Sequence, residues 1–182
     1  MAAEGVAGRP QDVGASGVRA TRPGRPVREA LCGFLDKQRE ALVRKIQGVS
    51  DADARETPTA SSLSLLGLLK HSALWERRWF QIIVAGRVFP HEWPEPDAPD
   101  PNEEDFRVDD EDTVERWLAC FGEQVAISRE ITASMDLDAQ CAWPKLAHRN
   151  LRWVLLHLIE ETARHAGHAD IIRETRDGSR GI

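Results

Sequence analysis

Apolar residues recur three and four apart in four separate segments of this chain, and nowhere does apolar character alternate with the period of two that marks a strand. The fold is thereby limited to packed helices. Val27, Leu31, Phe34, Leu35, Gln38, Leu42, Ile46 and Val49 form the first stripe, with Arg28, Glu29, Arg39, Glu40 and Arg44 between them. Gly48 and the polar Ser50, Asp51 and Asp53 stop it, and a short helical turn over Asp51–Arg55 must end before Thr57–Pro58. A second long helix starts with Ser61 or Ser62 as N-cap and runs to about Ala85, where Gly86 ends it. Asp112 or Thr113 caps a third, whose stripe is Val114, Trp117, Leu118, Phe121, Val125, Ser128 and Ile131. Met135 to Arg149 is a connection, and Asn150 caps a fourth helix that runs from Leu151 to about Thr175 before Asp177–Gly178. The expected class is all-α, a four-helix bundle with a long loop between helices two and three.

That loop is also where the charge sits. Of the net −6 carried by 182 residues, the stretch from His91 to Asp112 holds −10, from eleven acidic residues against Arg107, so the remainder is +4. Five prolines, from Pro90 to Pro101, exclude regular structure there, and the acidic residues lack the central Gly and terminal Glu of a calcium loop. A solvated loop is expected, with Phe106 pinning it to the bundle. No dense basic run offers a phosphate surface, which argues against nucleic acid as a partner. No window approaches 18 consecutive apolar residues, which argues against a membrane span, and no compact apolar block marks a signal peptide. The expectation is a cytoplasmic protein. Residues 1–26 are rich in Gly, Ala and Pro and read as a disordered tail, leaving one domain over 27–182. Cys32, Cys120 and Cys141 contain no CxxC pair and read as buried thiols.

The fourth helix breaks its own apolar pattern. Its stripe of Leu151, Val154, Leu158, Glu161, His165, His168 and Ile172 places Glu161 and His165 where a bundle calls for Leu. Residues four apart share a face, so these two side chains can aim at one point, either as two metal ligands or as a buried hydrogen-bonded pair. His71 occupies the equivalent position on the second helix, in the stripe Leu68, His71, Trp75 and Ile82, as a third ligand or a hydrogen-bonded core histidine. His168 lies at the edge of the stripe, suited to relaying protons to a bound group or to a satisfied structural role. His157 reads as structural and outside any ligand set, His91 and His148 as exposed. Trp75 and Trp79, four apart, are core residues or the lining of a pocket at the bundle mouth.

KHSALWERRWF, from Lys70 to Phe80, and EETARHAGHADIIRE, from Glu160 to Glu174, with Asp105–Phe106 between them, resemble the DinB/YfiT-like superfamily, specifically its mini-circle protein branch. The resemblance covers the chain from about Val27 onward. It implies an up-down-down-up bundle that binds one divalent metal ion, zinc or nickel, through His71, Glu161 and His165. Many members carry His where this chain has Glu161, and Gln where it has His168. The Glu-x-x-x-His form is similar to the mycothiol-dependent maleylpyruvate isomerase branch. A carboxylate in place of a neutral imidazole lowers the charge of the site by one and favours a harder ion.

Three protein ligands would leave a position open for water or substrate, as in catalytic sites. The resemblance implies a thiol-dependent S-transferase or isomerase, with a mycothiol-type cosubstrate and an electrophile as small-molecule partners. Metal-assisted hydrolysis in the same cavity and a non-enzymatic metal-binding protein are the alternatives. A homodimer stays open as the assembly. No Ser-His-Asp or Cys-His arrangement is visible, so any nucleophile must be generated by the metal.

Overall fold

A computed structural model describes residues 25–90 and 104–180. Residues 1–24 of the expected tail and residues 91–103 of the acidic loop lie outside the described residues. The described chain is helical: α1 is Arg25–Ile46, α2 Asp51–Ala54, α3 Leu65–Arg77, α4 Val114–Ser134 and α5 Leu151–Asp177. Helix α1 begins inside the segment read as tail, with Pro26 in its first turn, where a missing N–H leaves no bond unmade.

Local chemistry sets most of the helix ends. Ser50, Thr113 and Asn150 each accept a hydrogen bond from a backbone N–H of the first turn they cap. The cap of α3 is Ser64, not Ser61 or Ser62, with its Oγ 3.1 Å from the Gly67 N–H. Gly86 (φ 69°) and Gly178 (φ 74°) end their helices in the left-handed conformation open to glycine. Between Arg77 and Gly86 the helix is not α but π, over Arg78–Val84, with the Ala85 N–H bonded to the Phe80 carbonyl. All six side chains from Trp79 to Val84 are buried, so this segment is packed all round and lacks the polar stripe that periodicity detects.

Two apolar clusters give the topology. One gathers Leu42 and Ile46 from the end of α1, Leu65 to Ala73 from the start of α3, Val114 to Val125 from the start of α4, and Ala166 to Ile172 from the end of α5. The other gathers Leu35, Phe80, Ile83, Val84, Ile131 and Leu151 to Leu158. Helices α1 and α5 thus run from the second cluster to the first, and α3 and α4 run the opposite way: up-down-down-up. Two consecutive parallel helices need a connection spanning the bundle's length, about 30 Å for 21 residues. The chain between Val84 and Val114 is that crossover.

The described end of the crossover is less solvated than expected. Glu104, Asp109, Asp110 and Glu111 are exposed, but Asp105 and Asp112 are buried at 4% exposure each. Asp112 accepts from Trp117 Nε1 at 2.7 Å, Lys70 Nζ at 2.9 Å and the Asp109 N–H at 2.9 Å. Burial alone would raise its carboxyl, yet these donors hold it below the usual range. Asp105 takes both Nη atoms of Arg78. A buried carboxylate must be paired, and the pairing cations sit on α3 and at the start of its π extension, far away in sequence.

The stripes of α1 and α5 also need correction. Val27 and Phe34 are exposed, and Arg39 rather than Gln38 occupies the buried seam of α1. On α5 the deep seam runs Leu151, Val154, Leu155, Leu158, Thr162, Ala166, Ala169 and Ile172. Thr162, Ala166 and Ala169 hold the seam in its second half, which leaves Glu161, His165 and His168 on its flank. Of the cysteines only Cys141 is buried, while Cys32 and Cys120 are half-buried, and burial pushes all three thiols up.

Candidate active site

Between the two apolar clusters lies a cavity of about 230 Å³, walled by α3, α4 and α5. His71, Trp75, Glu76 and Trp79 face it from α3 and its π extension, Phe121 from α4, and His157, Leu158, Glu161, Thr162 and His165 from α5. The expected trio of His71, Glu161 and His165 therefore lines a single cavity. The two imidazoles are adjacent, with ring centroids 4.8 Å apart and planes at 75°. His165 Nε2 stands 4.0 Å from Glu161 Oε2. Glu161 lies on the rim, its Oε1 bonded to Arg164 Nη1 at 2.7 Å. Among the described residues, no three His, Cys, Asp or Glu side chains stand together as a finished metal-binding group.

Both imidazoles are held neutral. Burial, with His165 and Arg78 nearby, pushes His71 down to about 3. Burial likewise lowers His165, against the opposing pull of Glu161. The Nδ1 atoms of both are buried without a hydrogen-bond partner. A buried imidazole nitrogen usually has a partner, and a neutral imidazole is the form that ligates a metal. In donor chemistry, His71, His165 and the adjacent carboxylate fit a divalent ion.

His168 does not line the cavity. Its ring is 6.1 Å from that of His165, and its Nδ1 is also buried without a partner. His157, expected to be structural, does line the cavity, stacked on Trp153 (5.0 Å, 9°) and 4.5 Å from Trp79. Its position four residues before Glu161 was the available signal. Trp75 and Trp79 serve as core and as cavity wall together.

Sequence reasoning missed the polar floor. Glu76 faces the cavity and pairs with Arg39 of α1, with side-chain exposures of 3% and 7%. Burial pushes the Glu76 carboxyl up, against the pull of Arg39 and a hydrogen bond from Ser128. A charged residue inside each of two apolar stripes, opposite in sign, was the mark of this pair.

The family model described as mycothiol-S-transferase matches residues 30–178 of the chain. No curated protein matches the sequence. Among solved structures, a conserved protein from Enterococcus faecalis superposes with a TM-score of 0.58 at 17% identity, covering 84% of this chain and 98% of that one, which supports the fold.

Proposed function

Since the chain belongs to the mycothiol-S-transferase family, we propose that it is a metal-dependent thiol S-transferase that joins a low-molecular-weight thiol of the mycothiol type to an electrophile in the cavity between α3, α4 and α5. The observation that carries this reading is the adjacency, in one cavity, of two half-buried neutral imidazoles whose buried Nδ1 atoms have no partner, brought together from α3 and α5.

His71, Glu161 and His165 are the residues that would hold a zinc or nickel ion. When bound, such an ion supplies Lewis acidity that lowers the pKa of a thiol into the neutral range. The protein's own part is to hold the donors deprotonated, which burial does for both histidines. Trp75, Trp79, Phe121 and Leu158 keep the cavity largely apolar, so a charge developing on sulfur meets a low dielectric. His168, whose ring is 6.1 Å from that of His165, is the residue assigned to relaying protons to a bound group, and His157 presents a third neutral imidazole to the cavity.

The test is elemental analysis of the purified protein and conjugation of a generic electrophile to mycothiol, with and without zinc or nickel. The expected result is metal-dependent conjugation that His165→Ala abolishes together with metal binding, while far-UV circular dichroism keeps its helical signal. Most of the core, such as Leu42, Ile46, Leu65 to Leu69, Ile83 and Leu151 to Leu155, lies outside the cavity wall, so the fold should survive the loss. Undiminished conjugation by metal-free protein would overturn the reading. Turnover that needs no thiol would instead favour hydrolysis in the same cavity.

A further inference from the structure

The Asp105–Phe106 segment at the end of the crossover has no part in the proposed chemistry, yet it lies directly on the site. The Phe106 ring stacks on the His71 imidazole at a centroid distance of 3.9 Å and an interplanar angle of 14°. It also meets His165 edge-on at 6.0 Å. An imidazole that ligates a metal is normally oriented by a hydrogen bond from its other nitrogen to a carboxylate or carbonyl. For His71 the flat contact with Phe106, at 3.9 Å and 14°, supplies a constraint of that kind on the ring.

The segment is itself fixed at three points along one face of α3. Lys70 Nζ donates to the Arg107 carbonyl at 2.8 Å and to Asp112. Arg78, which lies over the Trp75 ring at 5.2 Å, clamps both oxygens of the buried Asp105 carboxylate. At Gly67 the strap comes so close that a Cβ would stand 2.6 Å from the Phe106 carbonyl oxygen. Gly67, Lys70, His71, Trp75 and Arg78 follow the three-four spacing of one helix face, and the strap lies along it.

We propose that Asp105 and Phe106 are positioning residues for the site: Phe106 sets the ring plane of His71, and Asp105, held by Arg78, sets Phe106. The proposal rests on the reading of His71 as a metal ligand. The crossover that the topology requires thereby also completes the site, and a residue distant in sequence from both histidines controls how one of them is presented.

Two perturbations of opposite local effect test it. Phe106→Leu keeps apolar volume and removes the flat face. Gly67→Ala keeps the phenyl group and improves the helix propensity of α3, but its methyl must push the Phe106 backbone away. Zn²⁺ affinity by chelator competition is expected to fall about 10- to 100-fold in both, to be restored in Phe106→Tyr, and to fall by less in Asp105→Asn. In the metal-free protein, three-bond NMR couplings should show one χ1 rotamer for His71 in the wild type and averaging in Phe106→Leu and Gly67→Ala. Thermal unfolding separates the outcomes, since a purely structural strap would lower Tm and leave affinity and rotamer unchanged. Wild-type affinity in both variants would overturn the proposal. A wild-type protein that binds no Zn²⁺ would overturn the metal reading instead, and the rotamer measurement would then decide the positioning role by itself, with an unaveraged His71 in both variants overturning it.

Discussion

Replacing Arg39 by Met should be among the most damaging single changes outside the site, and its size follows from who is left unpaired. Arg39 gives one nitrogen to Glu76 and another to Asp36 at 2.8 Å, whereas Glu76, 3% exposed, has Arg39 as its only ion-pair partner among the described residues. Without Arg39 the Glu76 carboxylate is stranded away from water, but it can escape by taking a proton. From an ordinary pKa of 4.5, remaining protonated at pH 7 costs about 3.4 kcal/mol, at 1.36 kcal/mol per unit. That figure caps the charge penalty, so Arg39→Met should cost about 3 kcal/mol at most, near the lower end of the range for breaking a buried pair. Glu76→Gln should cost only about 1–2 kcal/mol, because Arg39 keeps Asp36, whose side chain is 29% exposed to solvent. The double change to Met and Leu should recover most of the loss by removing both charges. Urea unfolding with unchanged m values is the assay, and a cost of about 3 kcal/mol corresponds to a Tm drop of roughly 6–12 °C for a chain of this size. A cost below about 1 kcal/mol for Arg39→Met, or a larger cost for Glu76→Gln, would refute the reasoning.

Acid should weaken the metal-free fold, with the loss setting in as pH falls below about 6.5. The unfolded His71 protonates near 6.5 but the folded one only near 3, so the contribution is complete above pH 6.5 and is lost as pH falls toward 3, by up to about 1.4 kcal/mol per unit. His165 and His157, also held down by burial, steepen the decline, and a flat urea midpoint between pH 7 and pH 5 would contradict it. Gly86→Ala should destabilise by more than Gly178→Ala as measured by thermal unfolding. Both adopt positive φ, worth about 1 kcal/mol each, but at Gly86 a Cβ would also stand 2.8 Å from the Ala142 Cβ, whereas at Gly178 nothing lies within 4 Å. Equal costs would mean that the Ala142 contact relaxes freely.

Helical periodicity and end chemistry are local, and for that reason they were legible. The number of long helices, the caps Thr113 and Asn150, the stops at Gly86 and Gly178, and the inward placement of His71 and His165 all follow from residues within a few turns of one another. So did the anomaly on the last helix, because a Glu and a His among Leu and Val stand out in any frame. Tertiary structure decided what a single stripe cannot resolve. Which flank of α5 is the seam depends on how closely its neighbours approach, and that depends on Thr162, Ala166 and Ala169 meeting other helices. The π segment arises where a helix is buried on all sides and its polar stripe vanishes. Asp105 and Asp112 looked like part of a solvated acidic run because their cations, Arg78 and Lys70, lie on another element. Phe106 could be expected to pin the loop, but that it pins it onto His71 is a contact between distant segments. Such contacts are set by the path of the crossover over α3, which the near approach at Gly67 permits and no local spacing records.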